Sequence, residues 1–401
     1  MISVEEARLR ILHTLRPTPA EIVALADAWN RVTAQPVAAR LTQPPVDVSA
    51  MDGYALRAAD GTLKARLRVA GAAPAGHPFD GVVRAGETVR LFTGSVVPAG
   101  ADAILLQEDA TRDGDGVLVN EAVIAGRHIR RAGQDFVIGD VVLPPGKRIT
   151  ARDVGLAAAA NHPWLAVHRR PRVAILATGD EIAMPGEPIP PGGIVSSNSH
   201  ALAALVRAAG GEPMVLPIAV DDHDAIGAVA DSVAGMDILI TTGGASVGDH
   251  DLVIEALKAR GMTLDFWQIA MRPGKPLLFG QLGAMPVLGL PGNPVSAMVC
   301  GILFLLPALL RLSGLPAAPP PVSAAILGAA VKANDHRADH LRASVSNDET
   351  GRIVVMPFRV QDSAMLRRLA HADALILRAP LAPALPEGAE VSIIRLDSLG
   401  L

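Results

Sequence analysis

The sequence predicts an α/β multidomain protein whose central part is a doubly wound, mostly parallel sheet with helices on both faces. Between residues 172 and 312, short apolar runs alternate four times with segments that place apolar residues at helical spacing. Each apolar run ends in a loop that is rich in glycine or in carboxylates. On both sides of this centre, short β-branched or apolar segments separated by Gly, Pro and Asp turns predict small β-rich domains.

The central alternation consists of four predicted strands and the helix that follows each of them. The strands are predicted at 172–177, 213–220, 237–242 and 285–290, and the helices at 198–209, 222–233, 252–260 and 295–310. Asn198 or Ser199 is the predicted N-cap of the first helix. Ligands bind at the carboxyl ends of parallel strands, so the four loops at those ends form the predicted site.

The flanking regions divide the rest of the chain into three predicted domains. Helical patterns over 4–15, 19–28 and 151–160, the last with Thr150 as cap, predict an elongated N-terminal α+β domain made of residues 1–43 and 139–167. Strand patterns at 67–70, 88–93, 103–107 and 117–120 predict a β-rich domain inserted into it at 44–138. The central domain covers 168–316. After the proline-rich linker 316–321, strands at 340–346, 352–357, 374–378 and 390–395 predict a small, β-barrel-like C-terminal domain at 317–401.

Composition narrows the classes of function. The chain has 401 residues and a net charge of −4 without a basic stripe, so nucleic acid is not a predicted partner. The single cysteine, Cys300, excludes a disulfide scaffold and is predicted to be a buried thiol. The apolar segment 295–310 is interrupted by Pro307 and is too short for a membrane span, so it is interpreted as a core helix. The first residues predict an amphipathic helix rather than a signal peptide, and we therefore expect a cytoplasmic protein.

The loop 241–251, with the sequence T-T-G-G-A-S-V-G-D-H-D, lies between a predicted strand and a predicted helix. Gly243, Gly244 and Gly248 let backbone N–H groups approach an anion closely, and the N-terminus of the following helix adds positive partial charge. Plain turn chemistry accounts for the same glycines. The loop by itself therefore indicates either an anion cradle or an ordinary turn.

Carboxylates follow the predicted strands at the same edge of the sheet. Asp180 and Glu181 follow the first strand, Asp221 follows the second, and Asp249 and Asp251 close the glycine loop. Such residues often cap turns and helices. Beside an anion cradle they also suit Mg²⁺, which prefers oxygen ligands and shares them with phosphates.

Two cations and one hydroxyl complete the candidate residues. Arg272 and Lys275 flank a Pro-Gly turn and either bind an oxyanion or lie on the surface as solvated charges. Lysine is scarce in this arginine-rich chain, which favours a specific need for a compact ammonium group at Lys275. Ser296 either caps its helix or donates to an oxyanion at the N-terminus of that helix.

Six motifs spread over essentially the whole chain resemble one family. They are S-A-M-D-G-Y-A (49–55), T-G-S-V-V-P-A-G-A-D-A (93–103), T-G-D-E-I (178–182), G-G-A-S-V-G-D-H-D (243–251), M-R-P-G-K-P (271–276) and G-L-P-G-N-P-V-S (289–296). In this order they resemble the MoeA family of molybdenum insertases, which includes the E domains of gephyrin. The resemblance implies a molybdopterin-binding central domain and a transferase that inserts molybdate into adenylylated molybdopterin with Mg²⁺, releasing AMP and forming molybdenum cofactor.

The resemblance also implies residue roles. The implied catalytic residues are Asp52, Glu181, Asp221, Asp251 and Lys275, with Glu181 and Asp251 as metal ligands. The implied substrate-binding residues are Thr93, Thr178, Gly179, Asp180, Asn198, Gly243, Gly244, Ser246, Gly248, Arg272, Pro291, Asn293, Pro294 and Ser296. Asp52 is implied to act across a dimer interface, so a homodimer is expected, with molybdopterin adenylyltransferase and other cofactor-biosynthesis proteins as further partners. One position departs from the family, because Gln268 stands where a basic residue is common.

Two other functions stay open at this stage. A molybdopterin adenylyltransferase shares the central domain but needs neither the S-A-M-D-G-Y-A region nor a C-terminal β domain. A gephyrin-like scaffold uses its dimer and its clefts to bind peptides. Transfer of AMP from ATP indicates the first alternative, whereas release of AMP on addition of molybdate indicates the insertase.

Overall fold

The N-terminal region begins with a helix that packs against the central domain. The computed structural model describes residues 1–243 and 252–400 of the chain. Helix α1 (Val4–Thr14) follows Ser3, whose hydroxyl accepts a hydrogen bond from the backbone N–H of Glu6 at 3.1 Å. Ala7 and Ile11 are buried in the core of the central domain. The first predicted helix is confirmed.

The second predicted helix, over 19–28, is wrong. Ala20–Ala24 forms strand β1, which is followed by a 3₁₀ turn at Leu25–Asp27 and by strand β2 (Val37–Ala38). Strand β1 pairs antiparallel with Trp164–His168. Ile22 and Val23 are β-branched and suit a strand once a partner is present, so pairing with a distant segment overrides the local helical pattern.

A β-rich region is inserted after β2. Its strands are β3 (Val48–Ser49), β4 (Gly53–Leu56), β5 (Arg66–Ala73), β6 (Glu87–Leu91), β7 (Ala103–Leu106), β8 (Ala110–Asp113), β9 (Gly116–Val119) and β10 (Ile129–Arg130). Six of them form a sheet in the order β7-β4-β6-β5-β9-β8, and β3 pairs with β10. Within the described chain, the hydrogen bonds of residues 44–138 reach only residues 42–140. The β-rich character predicted for this region is confirmed.

The chain then returns to the N-terminal region. Strand β11 (Val141–Leu143) pairs with β2, and β12 (Trp164–His168) is the partner of β1. Between them lies helix α2 (Ala151–Ala159), whose start is fixed by a capping box in which the Thr150 N–H donates to Asp153 Oδ2 at 2.8 Å. The predicted Thr150 cap is confirmed.

The central domain carries the parallel sheet. Its elements are β13 (Arg172–Ala177), β14 (Ile182–Ala183), β15 (Ile194–Val195), α3 (Asn198–Ala208), β16 (Glu212–Val215), α4 (His223–Ser232), β17 (Ile238–Thr242), α5 (Leu252–Ala259), β18 (Met262–Gln268), β19 (Met271–Arg272), β20 (Pro276–Leu282) and β21 (Met285–Leu290). The sheet order is β16-β13-β17-β21-β20-β18; the first four strands run parallel, and β20 and β18 run antiparallel to their neighbours. Separate apolar cores cover its two faces. The predicted fold class is confirmed.

The long apolar helix after β21 is a core helix. It consists of α6 (Pro294–Cys300), a π-helical turn at Gly301–Leu305 and α7 (Leu306–Leu312). Pro307 has no backbone N–H and would crowd a regular preceding turn, and the wider π turn accommodates it without ending the helix. The helix is therefore longer than predicted, and at 19 residues it is long enough to cross a membrane, but 83% of its apolar window is buried inside the protein. Burial, rather than length, supports its assignment to the core.

The C-terminal domain is a closed barrel. Its elements are β22 (Ser323–Leu327), β23 (Ala338–Asn347), β24 (Ile353–Pro357), α8 (Leu366–Ala370), β25 (Ala374–Arg378) and β26 (Glu390–Arg395). The strands follow the order β23-β24-β22-β26-β25, and an additional pairing of β23 with β25 closes the ring. Closure leaves no strand edge unpaired within the ring, as expected for a small stable barrel. Strand β19 of the central domain extends β23 in parallel.

Candidate functional site

A cavity of about 820 Å³ lies at the carboxyl ends of β13, β17 and β21. This is where a parallel sheet places its ligands. The structure brings nine of the predicted site residues together in its wall: Gly179, Glu181, Asn198, Asp221, Gly243, Pro291, Asn293, Pro294 and Ser296. The loops that follow the first, second and fourth predicted strands therefore meet at one site, together with the described part of the glycine loop that follows the third.

Two glycines in the wall are required by the backbone. Gly243 has a φ of +94°, and a Cβ added there would lie 2.3 Å from the carbonyl oxygen of Thr178. Gly179 has a φ of +142°, and its Cβ would lie 2.6 Å from a carboxylate oxygen of Glu181. Any other residue would be strained at both values of φ. At Gly243 the obstacle is backbone, so this glycine lets the loop after β17 approach the loop after β13 closely beside the cavity, whereas at Gly179 the obstacle is a flexible side chain of the same loop.

Asn198 ties the loops together. Its side-chain amide donates to Thr242 Oγ1 at 2.9 Å and to the carbonyl oxygen of Gly292 at 2.8 Å, and the Thr242 hydroxyl donates to the Pro291 carbonyl at 3.2 Å. The predicted N-cap is wrong by one residue, because Ser197 precedes α3 and Asn198 is already helical. The Asn198 side chain is turned instead toward the neighbouring strands, where it fixes the shape of the cavity floor.

Glu181 and Asp221 line another part of the cavity, and Asp180 lies beside them. The backbone N–H of Asp221 donates to Asp180 Oδ1 at 3.0 Å, which brings the two loops together. Burial raises the pKa of Asp221 above its ordinary value, and the negative charges of Asp180 and Glu181 raise it further. This wall therefore favours a cation. Among the described residues, no three His, Cys, Asp or Glu side chains are arranged to hold a metal ion by themselves.

Ser296 lies in the first turn of α6 and is buried, with 4% of its surface exposed. The helix begins after Asn293, so Ser296 is not the cap that one interpretation of the sequence suggested. Its position in the cavity wall near the positive end of the helix suits contact with an oxyanion.

The two predicted cations differ in their surroundings. The Arg272 Nη2 lies 2.5 Å from Asp339 Oδ2, and its Nη1 lies 3.6 Å from Asp335 Oδ2, so that its charge is paired with the C-terminal domain. Lys275 forms no ion pair with the described residues and directly precedes Pro276, which lines the cavity. Gln268, the departure from the family pattern, is paired with Pro276 in the β18–β20 hairpin.

Asp52 and Thr93 lie in the inserted region and do not line the cavity of their own chain. Asp52 Oδ1 accepts hydrogen bonds from the Thr93 backbone N–H at 2.8 Å and from the Thr93 hydroxyl at 2.9 Å. These bonds, and the nearby charge of Arg90, lower the pKa of Asp52 below its ordinary value. Asp52 is therefore an oriented carboxylate that stays ionised at neutral pH.

The remaining predicted residues fall into two groups. Thr178 is fully buried beside the cavity, between the wall residues Ala177 and Gly179, and its hydroxyl has no hydrogen-bond partner among the described residues. Gly244, Ser246, Gly248, Asp249 and Asp251 lie outside the described residues.

Sequence reasoning missed an apolar part of the wall. Ile182, Ile194 and Val195 come from the β14–β15 ribbon, and Ala364 and Leu366 come from the C-terminal domain. The Val295 N–H donates to the Ser363 carbonyl at 3.1 Å, which holds this part of the barrel against the start of α6. No sequence signal points to these residues, because each segment looks like an ordinary surface loop until the domains pack.

Comparison with known proteins identifies the family. The MoeA N-terminal region (domain I and II) matches residues 2–161, a probable molybdopterin binding domain matches 174–311, and the MoeA C-terminal region (domain IV) matches 324–396. The chain belongs to the MoeA family. Its similarity to molybdopterin molybdenumtransferase of Haemophilus influenzae is 33% identity over 381 residues, covering 94% of each chain.

Other members agree with this assignment. Molybdopterin molybdenumtransferase 2 of Mycobacterium tuberculosis is 36% identical over 387 residues, covering 94% of this chain and 95% of that protein. Two crystal structures of the molybdopterin biosynthesis MoeA protein from Pyrococcus horikoshii superpose with TM-scores of 0.86 and 0.79, at 28% and 27% identity. Each comparison covers 98% of this chain and 99% of the other. The MoeA fold thus extends through all parts of the molecule.

Proposed function

We propose that this MoeA-family chain is a molybdopterin molybdenumtransferase. It inserts molybdate into the dithiolene of adenylylated molybdopterin, cleaves the phosphoanhydride to AMP and releases molybdenum cofactor. The observation that carries the proposal is the cavity in which glycine loops, a carboxylate wall and the first turn of α6 meet at the carboxyl ends of three parallel strands. Relatives that match nearly the full chain bear the name of this activity.

The groups around the cavity suit two oxyanionic substrates. The glycine loop, including Gly243 and the undescribed Gly244, Ser246 and Gly248, is proposed to cradle the pterin phosphate with backbone N–H groups. Lys275 and Ser296 are proposed to hold molybdate or the adjoining phosphate. Among the described wall residues, no hydroxyl is hydrogen-bonded to a His, Asp or Glu side chain that could activate it as a nucleophile, so we assign the rate enhancement to proximity and electrostatics.

Magnesium fits the carboxylate wall only together with substrate. Burial and the nearby charges of Asp180 and Glu181 raise the pKa of Asp221, and a bound divalent cation would offset this repulsion. Mg²⁺ is commonly held by one or two carboxylates plus phosphate oxygens. We propose that Glu181 and Asp251, assisted by Asp221, hold Mg²⁺ beside the substrate phosphates, where it neutralises phosphate charge.

We further propose a homodimer in which Asp52 reaches the cavity of a second copy. The support is that Asp52 is ionised and oriented by Thr93, yet lies outside the cavity of its own chain. The four-domain division at 1–43 with 139–167, 44–138, 168–316 and 317–401 is part of the same proposal, since it makes the inserted domain the part that crosses to the partner. A cytoplasmic location and contact with molybdopterin adenylyltransferase remain predictions.

The two alternatives find less support. An adenylyltransferase needs no C-terminal β domain, whereas here that domain supplies Ala364 and Leu366 to the cavity wall. A scaffold has no need for carboxylates and a glycine loop that line the same cavity. Neither alternative accounts for the meeting of these groups at one cavity.

Release of AMP tests the proposal. Purified protein is incubated with adenylylated molybdopterin and Mg²⁺, with and without molybdate, and AMP and molybdenum cofactor are measured. We expect AMP and cofactor to appear together and only with molybdate. Glu181→Gln should lower the rate by about 10² or more, the scale of losing one positioned polar group, whereas the exposed turn variant Glu349→Gln should match wild type. AMP transfer from ATP to molybdopterin without molybdate use would instead identify an adenylyltransferase.

A further inference from the structure

The segment that carries the two predicted cations bridges two domains. Strand β19 (Met271–Arg272) lies beside the barrel strand β23, with Arg272 opposite Asp339. The Ala338 N–H donates to the Ala270 carbonyl at 2.9 Å, and the Ala270 N–H donates to the Ile2 carbonyl at 2.8 Å. The first half of this loop is therefore fixed by the barrel and by the N-terminus rather than by the cavity.

The side chain of Arg272 reinforces this link. Its Nη2 and Nε lie 2.5 Å and 3.2 Å from the same carboxylate oxygen of Asp339, and Nη2 lies 3.4 Å from Asn334 Oδ1. The Asp339 side chain is only 8% exposed. The hydrogen bond to Asp339 raises the pKa of Arg272, and the charge of Asp335 contributes as well. If Arg272 turned toward an oxyanion, it would leave a nearly buried carboxylate without its cation, which is strongly unfavourable.

The second half of the loop packs against α6 and leads into Pro276, which lines the cavity. Gly274 has a φ of +107°, and a Cβ there would lie 2.5 Å from the sulfur of the buried Cys300 in α6. The Ile269 N–H donates to the Lys275 carbonyl at 3.0 Å. Lys275 thus follows a turn that is fixed by α6 at Gly274 and by the barrel at Arg272, and its side chain has no ion pair with the described residues.

We infer that Arg272 and Asp339 are positioning residues for Lys275, and that Lys275 is the cation of this loop that meets the oxyanion. The inference rests on the proposed insertase function and revises the role that the family resemblance implies for Arg272. The inference also implies that the C-terminal barrel contributes to the reaction, because Asp339 of the barrel fixes Arg272 and thereby positions Lys275.

The direction in which Asp339→Asn changes the KM for molybdate tests this inference. In insertion assays, Asp339→Asn should raise the KM for molybdate by about tenfold and leave the KM for adenylylated molybdopterin unchanged, because a displacement of about 1 Å in a binding group costs one to two orders of magnitude. Arg272→Gln should do the same, and the double variant should be no worse than either single variant, since all three break one pair. If Arg272 were itself a ligand for which Asp339 competes, Asp339→Asn would free it, and the KM for molybdate would fall.

The controls separate positioning from loss of structure. Asp348→Asn removes an ion pair with the exposed Arg352 in the same barrel and should leave the kinetics unchanged. Arg272→Lys keeps the charge but loses the planar fork, so its KM for molybdate should lie between those of wild type and Arg272→Gln. If circular dichroism shows that a stronger substitution unfolds the protein, Arg272→Lys provides the test instead.

Wild-type protein that releases no AMP on addition of molybdate refutes the proposed function. An active wild type with an unchanged or lowered molybdate KM in Asp339→Asn, or with additive effects in the double variant, overturns this inference alone.

Discussion

The two small β-rich regions of the molecule have opposite relations to the cavity. The C-terminal barrel contributes Ala364 and Leu366 to the cavity wall of its own chain and is linked to the central domain by Arg272 and Asp339. The inserted region contributes no described residue to that wall, and its hydrogen bonds stay within residues 42–140. Both regions have the same kind of sequence, with short strands and Gly/Pro turns, so their different roles arise from where the chain places them.

This difference indicates how each region serves the reaction. A domain that packs on the cavity acts within its own chain, through shape and through the position of Lys275. The inserted region contributes no described residue to the cavity of its own chain, and we propose that it presents the ionised, oriented Asp52 to a second copy. The barrel is therefore expected to act in cis and the inserted region in trans.

A variant of the central domain, Gly243→Ala, should reduce insertion activity more than any variant of the two β-rich regions. The variant places a Cβ 2.3 Å from the Thr178 carbonyl at a φ of +94°, so the glycine loop must move and insertion should fall by 10² or more. Gly235→Ala is the matched control, because Gly235 has a φ of +91° and no atom within 4 Å of the added Cβ. It should lower the free energy of unfolding by about 1 kcal/mol and leave activity unchanged. Equal activities of the two variants would show that the close approach of the loops is unimportant.

Leu366→Ala tests the cis contribution of the barrel. The truncation removes part of the apolar wall from the barrel side, and about 1 kcal/mol of lost contact raises the KM for adenylylated molybdopterin by about fivefold. The control is Leu381→Ala, since Leu381 lies in the same domain and is 75% exposed. If both variants bind substrate as wild type does, the barrel has no direct part in the cavity.

The smallest expected effect is the change in melting temperature caused by Asp221→Asn. The raised pKa of Asp221 decides whether this temperature rises or falls. Because the folded protein disfavours the ionised carboxylate, Asp221 destabilises the fold at pH values above its folded pKa, and this effect disappears below the ordinary aspartate pKa of about 3.9. The variant should therefore melt slightly higher than wild type at pH 7, while it loses insertion activity. Melting curves at pH 7 and near pH 3.5 measure the difference. A lower melting temperature at pH 7 would contradict the crowding of the three carboxylates.

The sequence predicts the centre of the molecule well because local signals are strong there. The runs at 172–177, 237–242 and 285–290 are apolar and β-branched, and each ends in a loop whose residues need glycine or carboxylates. Shared strand direction alone then brings Gly179, Asp221 and Asn293 to one edge of the sheet.

Long-range contacts limit the prediction elsewhere. Segment 19–28 has a helical pattern, but Ala20–Ala24 pairs with Trp164–His168. Arg272 looks like a free cation until the barrel places Asp339 beside it, and nothing near Leu366 indicates a place in the cavity wall. In each case the deciding partner lies far along the chain, where neither spacing nor propensity carries information.

Complementation between two inactive variants tests the cis and trans assignment most directly. Asp52→Ala and Glu181→Gln chains are mixed under conditions that permit subunit exchange, and insertion is measured once exchange is complete. Random pairing makes half of the dimers heterodimers, each with one of its two sites free of both defects, so about a quarter of wild-type activity should return. Gly243→Ala mixed with Glu181→Gln is the matched cis pair, because both defects lie in the same chain's cavity, and it should recover none. A failure of the first pair to recover despite demonstrated exchange, or equal recovery by both pairs, would contradict the assignment of Asp52 to the second subunit's site.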